Sequence, residues 1–192
     1  MTQAEFEKKI TSKIKNLDAA KLIFPAAQNA LDSMRERIFG AGIGGDGAKI
    51  GSYSTKEMYA SKSQFKRSSS FRPQGKASKT TTGRRKPGSG VFANGNPRKS
   101  MYLSQGYKEL RAIQGMESGY VNLHYSGFLF TDFTKLTTEE DSVVLKLSKG
   151  ANVKKFDALT KKYGAETFRH TQKEKDEFAK GVLKALTKYL NN

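Results

Sequence analysis

Eleven Lys or Arg side chains, and no Asp or Glu, fall between Lys62 and Ser100. They are Lys62, Lys66, Arg67, Arg72, Lys76, Lys79, Arg84, Arg85, Lys86, Arg98 and Lys99. A row of cations without counter-charges can follow the phosphates of a nucleic acid and release their condensed counterions, or it can dock on an acidic protein. Phe65, Phe71 and Phe92 are interleaved with them as stacking or anchoring groups. The bland reading is a solvated loop. Sequence-specific readout is not expected, because no helix-turn-helix, zinc finger or similar reading motif accompanies the charge.

Other residues capable of chemistry are sparse. The chain has no cysteine, which removes disulfides, thiolate metal sites and cysteine nucleophiles together. Its two histidines, His124 and His170, have no partner at metal-ligand spacing. Glu139, Glu140 and Asp141 read as a solvated turn before a strand rather than as an acid/base pair. Gly40, Gly42 and Gly45 satisfy the spacing of a dinucleotide-binding loop, but a helix precedes them and a polar loop follows. The pyrophosphate would meet no helix N-terminus, so a hinge is the expected role. GRRKPGSG, residues 83–90, lacks the Lys-Ser/Thr ending of a phosphate-binding loop. No catalytic activity, metal or other cofactor is expected.

The elements that must carry the basic segment follow from periodicity. Thr2 and Glu5 have capping-box spacing, and Phe6, Ile10, Ile14 and Leu17 recur behind them at helical intervals, giving a first helix to about residue 17. A second helix is expected from Pro25, as a first-turn proline, through Leu31, Met34 and Ile38, with Gly40 as its stop. Residues 104–114 read as a short helix despite Gly106 in its first turn. Residues 120–126 and 142–148 read as strands, with a turn and short element over 126–133 between them. A helix is expected over 153–163, closed by Gly164. The last helix begins at a second capping box, Thr171 and Glu174, and carries the stripe Phe178, Val182, Leu186 and Tyr189.

Residues 62–100, rich in Ser, Gly and Thr, hold too few apolar side chains to offset roughly 1–2 kcal/mol of backbone entropy per residue, and are expected to order only on a partner. The flanks are ordinary: residues 1–61 hold nine basic and seven acidic residues, and 101–192 hold fifteen and eleven. The expected organisation is therefore one α+β domain. Residues 1–39 supply its N-terminal helices, 40–100 form a basic extended arm, and 101–192 complete the domain with a small antiparallel sheet and the C-terminal helix. No apolar run approaches the length of a signal peptide or membrane span, so a soluble, intracellular protein without membrane contact is expected.

Taken in order, several motifs resemble one family. They are RERIFGAGIGGDG with Phe39, Gly45, Asp46 and Gly47; GYKELRAIQG; Ser126-Gly127 followed by Leu129; and Tyr163-Gly164 ahead of Phe168, Thr171 and Glu174. This order, spanning most of the chain, is similar to the neck, tail-completion and virion-morphogenesis proteins of tailed bacteriophages. The resemblance implies a non-catalytic virion protein, assembled in the bacterial host cytoplasm as a homo-oligomeric ring of six or twelve copies at the head-to-tail joint. It would touch portal, adaptor or tail proteins, and its arm would reach neighbouring subunits, portal or packaged DNA. A tail-terminator ring is the nearest rival within the family. From the charge alone, the alternative is a nucleic-acid-binding protein without sequence specificity.

Overall fold

The computed structural model describes residues 2–15, 17–76, 78–79, 85–86, 88–124, 126–134, 136–139 and 142–191. In chain order the elements are α1 (Gln3–Lys15), α2 (Ala19–Arg35), β1 (Met58–Ser61), β2 (Ser78–Lys79), β3 (Arg85–Lys86), β4 (Ser100–Leu103), α3 (Gly106–Ile113), α4 (Phe128–Asp132), β5 (Leu136–Glu139), β6 (Ser142–Leu145), α5 (Gly150–Tyr163) and α6 (Gln172–Asn191). The fold is α+β, with antiparallel pairs β1–β4, β2–β3 and β5–β6. The chain forms two compact units, residues 1–48 with 127–192 and residues 49–126. The second is inserted in the first. These boundaries differ from the expected 39/40 and 100/101.

Unit 1 is built on α2, which packs against α6 and against the β5–β6 hairpin. The α2–α6 crossing is close because Gly181 faces Ala26: a Cβ at 181 would stand 3.0 Å from that of Ala26. Helix α2 begins six residues before Pro25, not at it. Asp18 caps the helix, its carboxylate accepting the Lys21 N–H at 2.9 Å. Pro25 sits in the helix interior, where it and Lys21, whose carbonyl it cannot bond, are both exposed. Nor does Gly40 stop the helix. A π-helical turn, Glu36–Ala41, carries the chain on to Gly42, whose φ of 65° ends it.

Both capping boxes form. Thr2 and Glu5 exchange bonds of 2.7 and 3.3 Å, and Thr171 and Glu174 exchange bonds of 2.8 and 3.2 Å. Phe39 lies edge-on to Phe130 and Phe133, each with ring centroids 5.6 Å away. Phe133 continues the aromatic core to Phe156 and Phe168, which are 4.5 Å apart. Buried Asp132 starts α5, accepting from the Ser148 hydroxyl, the Asn152 amide and the N–H groups of Ser148 and Lys149; these bonds, led by Ser148 and Asn152, hold its carboxyl far below the ordinary carboxylate range. Glu139 ends β5, a strand that periodicity missed; Glu140 and Asp141, the rest of the expected turn, lie outside the described residues.

Unit 2 has its own core. β1 and β4 pair from Met58↔Leu103 to Ser61↔Ser100, and Ala60, Phe65, Met101, Leu103 and Leu110 are buried together beneath Phe71, Tyr107 and Ile113. The expectation that the basic segment orders only on a partner is corrected for its first part: Phe65 and Phe71 stack edge-on at 5.3 Å within this core. They are anchors for the basic segment and are not available for stacking on a base.

The strand expected over 120–126 is absent among the described residues. A polar knot replaces it: Asn122 Oδ1 accepts from the Tyr53 hydroxyl at 3.1 Å, from Arg111 Nη2 at 3.0 Å and from the His124 N–H at 3.2 Å. Leu123 takes a φ of 51°, which no strand permits. Arg111, only 1% exposed, also donates to the carbonyls of Glu117 and His124 and lies over the Tyr53 ring.

Candidate nucleic-acid interface

Fifteen Lys or Arg and three Glu belong to residues 49–126, so most of the chain's excess charge is a property of unit 2. Lys49, Lys56 and Lys108 join the eleven predicted cations, with Arg111 internal. Counting from Lys62 to Ser100 missed them because the structural boundaries lie at Lys49 and Ser126. The signal available in the sequence was the scarcity of acid, which begins before the Ser/Gly-rich composition does.

The predicted residues separate into three groups. Lys62 opens a 3₁₀ turn (Lys62–Gln64) and Lys66 follows it, Arg67 precedes a second (Ser68–Ser70), and Arg72 follows that one. The turns are pinned from within: the Lys66 N–H donates to Gln114 Oε1 at 2.7 Å, while Phe65 enters the core. Buried side chains therefore hold a short, exposed basic ridge. Among the described residues, Lys62, Arg67, Arg72 and Lys99 are exposed and form no ion pair.

The second group belongs to a hairpin. β2 and β3 pair Ser78↔Lys86 and Lys79↔Arg85, and the chain closes below them where the Gly75 N–H donates to the Ser89 carbonyl at 3.0 Å. Gly75 and Gly88 approach so closely that a Cβ at Gly88 would stand 1.9 Å from the Gly75 carbonyl oxygen. Arg84 and the side chains of Lys79, Arg85 and Lys86 lie outside the described residues. At the hairpin's base Lys76 bonds Glu57 at 2.9 Å, and the Tyr102 hydroxyl donates to the same carboxylate. The Tyr102 bond and then Lys76 hold the Glu57 carboxyl below its usual range, and the Glu57 bond raises Lys76. The charge of Lys76 is thus offset by a carboxylate.

The third group surrounds Phe92. The Arg98 guanidinium lies over this ring, 4.2 Å from the centroid, and on its other side covers Gly75, where a Cβ would meet Cζ at 2.8 Å. Phe92 is 45% exposed and the most exposed of the three interleaved phenylalanines; Phe65 is buried and Phe71 half-buried. Lys99, Asn94 and Asn96 line the same open cleft.

The remaining candidates are structural. The glycine cluster is a docked turn rather than a hinge: Gly45 N–H bonds the Glu166 carbonyl at 3.0 Å, and a Cβ there would lie 2.4 Å from that oxygen and 2.6 Å from the Arg169 carbonyl oxygen. At Gly45 it leaves no room for a pyrophosphate. Burial, then Lys66 and Arg111, lowers the His124 pKa, favouring the neutral ring; His170 Nδ1 is 3.6 Å from Glu174. Among the described residues, no three His, Asp or Glu side chains converge as metal ligands, and no helix is long and apolar enough to cross a membrane.

The arrangement can neutralise a polyanion, with a main-chain scaffold to place the cations and an exposed ring for an apolar or stacking contact. The chain matches no protein-family model, no curated protein and no solved structure.

Proposed function

We propose that this chain is a structural virion protein forming a homo-oligomeric ring at the head-to-tail joint of a tailed bacteriophage, with unit 2 directed at neighbouring subunits, portal or packaged DNA. The observation that carries the reading is the convergence in unit 1 of the first and last of the resembling motifs. Phe39 and Phe168 enter one aromatic core, Gly45 docks on Glu166 and Arg169, and the Thr171–Glu174 cap receives Arg37. Motifs more than a hundred residues apart thus build one scaffold. Buried Asp132, Asn152 and Glu174 hold backbone and neighbouring side chains, as a scaffold requires.

Labelling the protein on purified particles and imaging them by electron microscopy is expected to show label only at the head-to-tail vertex. Label absent from every particle, with the protein recovered on nucleic acid, would sink this reading. It would favour the second one, a nucleic-acid-binding protein without sequence specificity, which the charge of unit 2 supports.

The polyanion contact has a separate test. Excising residues 76–87 and joining Gly75 to Gly88 removes Lys76, Lys79, Arg84, Arg85 and Lys86 but none of the buried core of unit 2. The logarithmic salt dependence of duplex-DNA binding is expected to become shallower by up to about 4.5, at about 0.9 per lost phosphate contact. An unchanged slope would place the DNA contact elsewhere.

A further inference from the structure

We infer that the solvent face of the β1–β4 sheet, together with the Phe92 cleft beside it, is a stacking platform for single-stranded DNA. Alternation along the two strands sorts this face: Ala60, Met101 and Leu103 are buried in the core of unit 2, so Tyr59, Ser61, Ser100 and Tyr102 take the other side. Tyr59 and Tyr102 are opposite one another in the register, with ring centroids 5.3 Å apart and planes tilted by 56°. A cross-strand aromatic pair stabilises a sheet by mutual contact, but here Tyr59 remains 52% exposed.

The face continues into a second platform. Ser100 lies two residues from Tyr102, roughly 7 Å along the strand, and also lines the open cleft of Phe92. The Phe92 loop is closed by its own backbone: the Phe92 N–H donates to the Asn96 carbonyl at 2.8 Å, and the Arg98 N–H to the Gly90 carbonyl at 2.8 Å. With the Arg98 guanidinium over the ring, Phe92 has its exposed surface left for a base.

The charges around the face are uneven. At the Ser61↔Ser100 end, Lys62 and Lys99 each stand one residue beyond the pair, and neither they nor Arg98 form an ion pair among the described residues. Two carboxylates lie toward the other end. Glu57, preceded by Lys56, is offset by Lys76 and accepts from the Tyr102 hydroxyl; Glu109 accepts from the Ser104 hydroxyl and the Gln105 N–H just past β4. Glu117, the third carboxylate of unit 2, accepts from the Gly119 N–H. Phosphates therefore have their cations beside Ser100 and Phe92, between the two aromatic platforms and the start of the basic ridge. A duplex keeps the π-faces of its bases stacked on one another, so rings fixed on a sheet and a closed turn can be used only by bases without a partner strand. DNA is the nucleic acid that the proposed function brings to unit 2; the inference deepens that contact and rests on it.

The test titrates the full chain, at one salt concentration, into labelled oligothymidylate of about 12 nucleotides and into a duplex with as many phosphates. Tyr59→Ala and Phe92→Ala are each expected to weaken oligothymidylate binding roughly 5- to 100-fold, the effect of losing one stacked base, with a much smaller change for the duplex. Tyr59→Ile keeps a strand-forming residue without a π-face and should lose as much, whereas a merely structural Tyr59 would tolerate it. Because the chain has no tryptophan, Tyr59→Trp supplies a single reporter whose emission oligothymidylate should quench. Variants that bind oligothymidylate as tightly as the unchanged chain overturn the inference and leave the phosphate contact of unit 2 standing. An unchanged chain that binds neither DNA overturns both. Equal losses for oligothymidylate and duplex, or tighter binding of oligouridylate than of oligothymidylate, also overturn the inference.

Discussion

Replacing Glu174 by alanine is expected to destabilise unit 1 by about 3–5 kcal/mol, because it leaves a buried guanidinium without its counter-charge. Glu174 is 5% exposed, and Arg37 donates to it from Nε at 2.8 Å and from Nη2 at 3.3 Å. The same guanidinium donates to the carbonyls of Ile43 and Arg169, so one side chain ties the end of α2, the glycine turn and the approach to α6. Urea unfolding should show a lower midpoint with an unchanged slope. The double variant Arg37→Met/Glu174→Met should recover most of the loss, since an apolar pair of similar volume does not bury a lone charge. A double variant as unstable as Glu174→Ala would show that the loss lies elsewhere. The pair also sets an acid limit. Burial works to raise the Glu174 carboxyl, but the Arg37 bond, the Thr171 N–H and the field of Arg37 together hold it below its ordinary value of 4.5. Its contribution is therefore full above about pH 4.5 and lost as pH falls through the lower folded value. Glu174→Gln should remove that part of the acid dependence.

Gly106→Ala is expected to cost unit 2 about 2–4 kcal/mol. Gly106 has a φ of +54°, and a Cβ there would lie 2.0 Å from the Lys56 carbonyl oxygen and 2.9 Å from its carbon. Both obstacles are backbone, so no side-chain rotation relieves them. Hydrogen exchange should show lost protection in β1, β4 and α3 while amides of unit 1 keep theirs. Gly115 provides the control: its φ is +68° with no atom within 4 Å of a Cβ, so Gly115→Ala should cost only the left-handed strain, about 1–2 kcal/mol. Equal losses at the two glycines would show that the approach to Lys56 contributes nothing.

Gly106 also marks where the sequence is readable and where it is not. Its presence at the start of α3 looks like a defect in a helix pattern, and becomes a requirement only once Lys56, fifty residues earlier, is in place. Features decided within one turn were legible: both capping boxes, the start of α6 behind Thr171, and Gly164 as the end of α5. Asp18 is equally local, but Pro25 offered a stronger signal for the same event and drew the start of α2 to itself. Features decided by distant partners were not legible. Phe65 and Phe71 sit among lysines and serines, and only β1, β4 and α3 reveal them as core. The apolar alternation over 120–125 suggests a strand, yet Tyr53 and Arg111 hold Asn122 where a ladder would need its neighbours. For the candidate interface, the cations were all visible as residue types. What composition could not give was the base at Gly75, Gly88 and Ser89, which turns part of the basic segment into a closed hairpin, or the Glu57 partner that offsets Lys76.

The insertion of unit 2 within unit 1 sets a clock on synthesis. Arg37 and Glu174 are separated by 137 residues of chain. At about 5–20 residues per second, a ribosome takes roughly 7–27 s to travel between them. Throughout that interval α2 has emerged with Ala26, Ala30, Leu31 and Met34 facing no α6, while unit 2, continuous in sequence, can fold as it appears. The order of maturation follows from where the insertion falls: the basic module can be complete first, and unit 1 is finished only once α6 has been made.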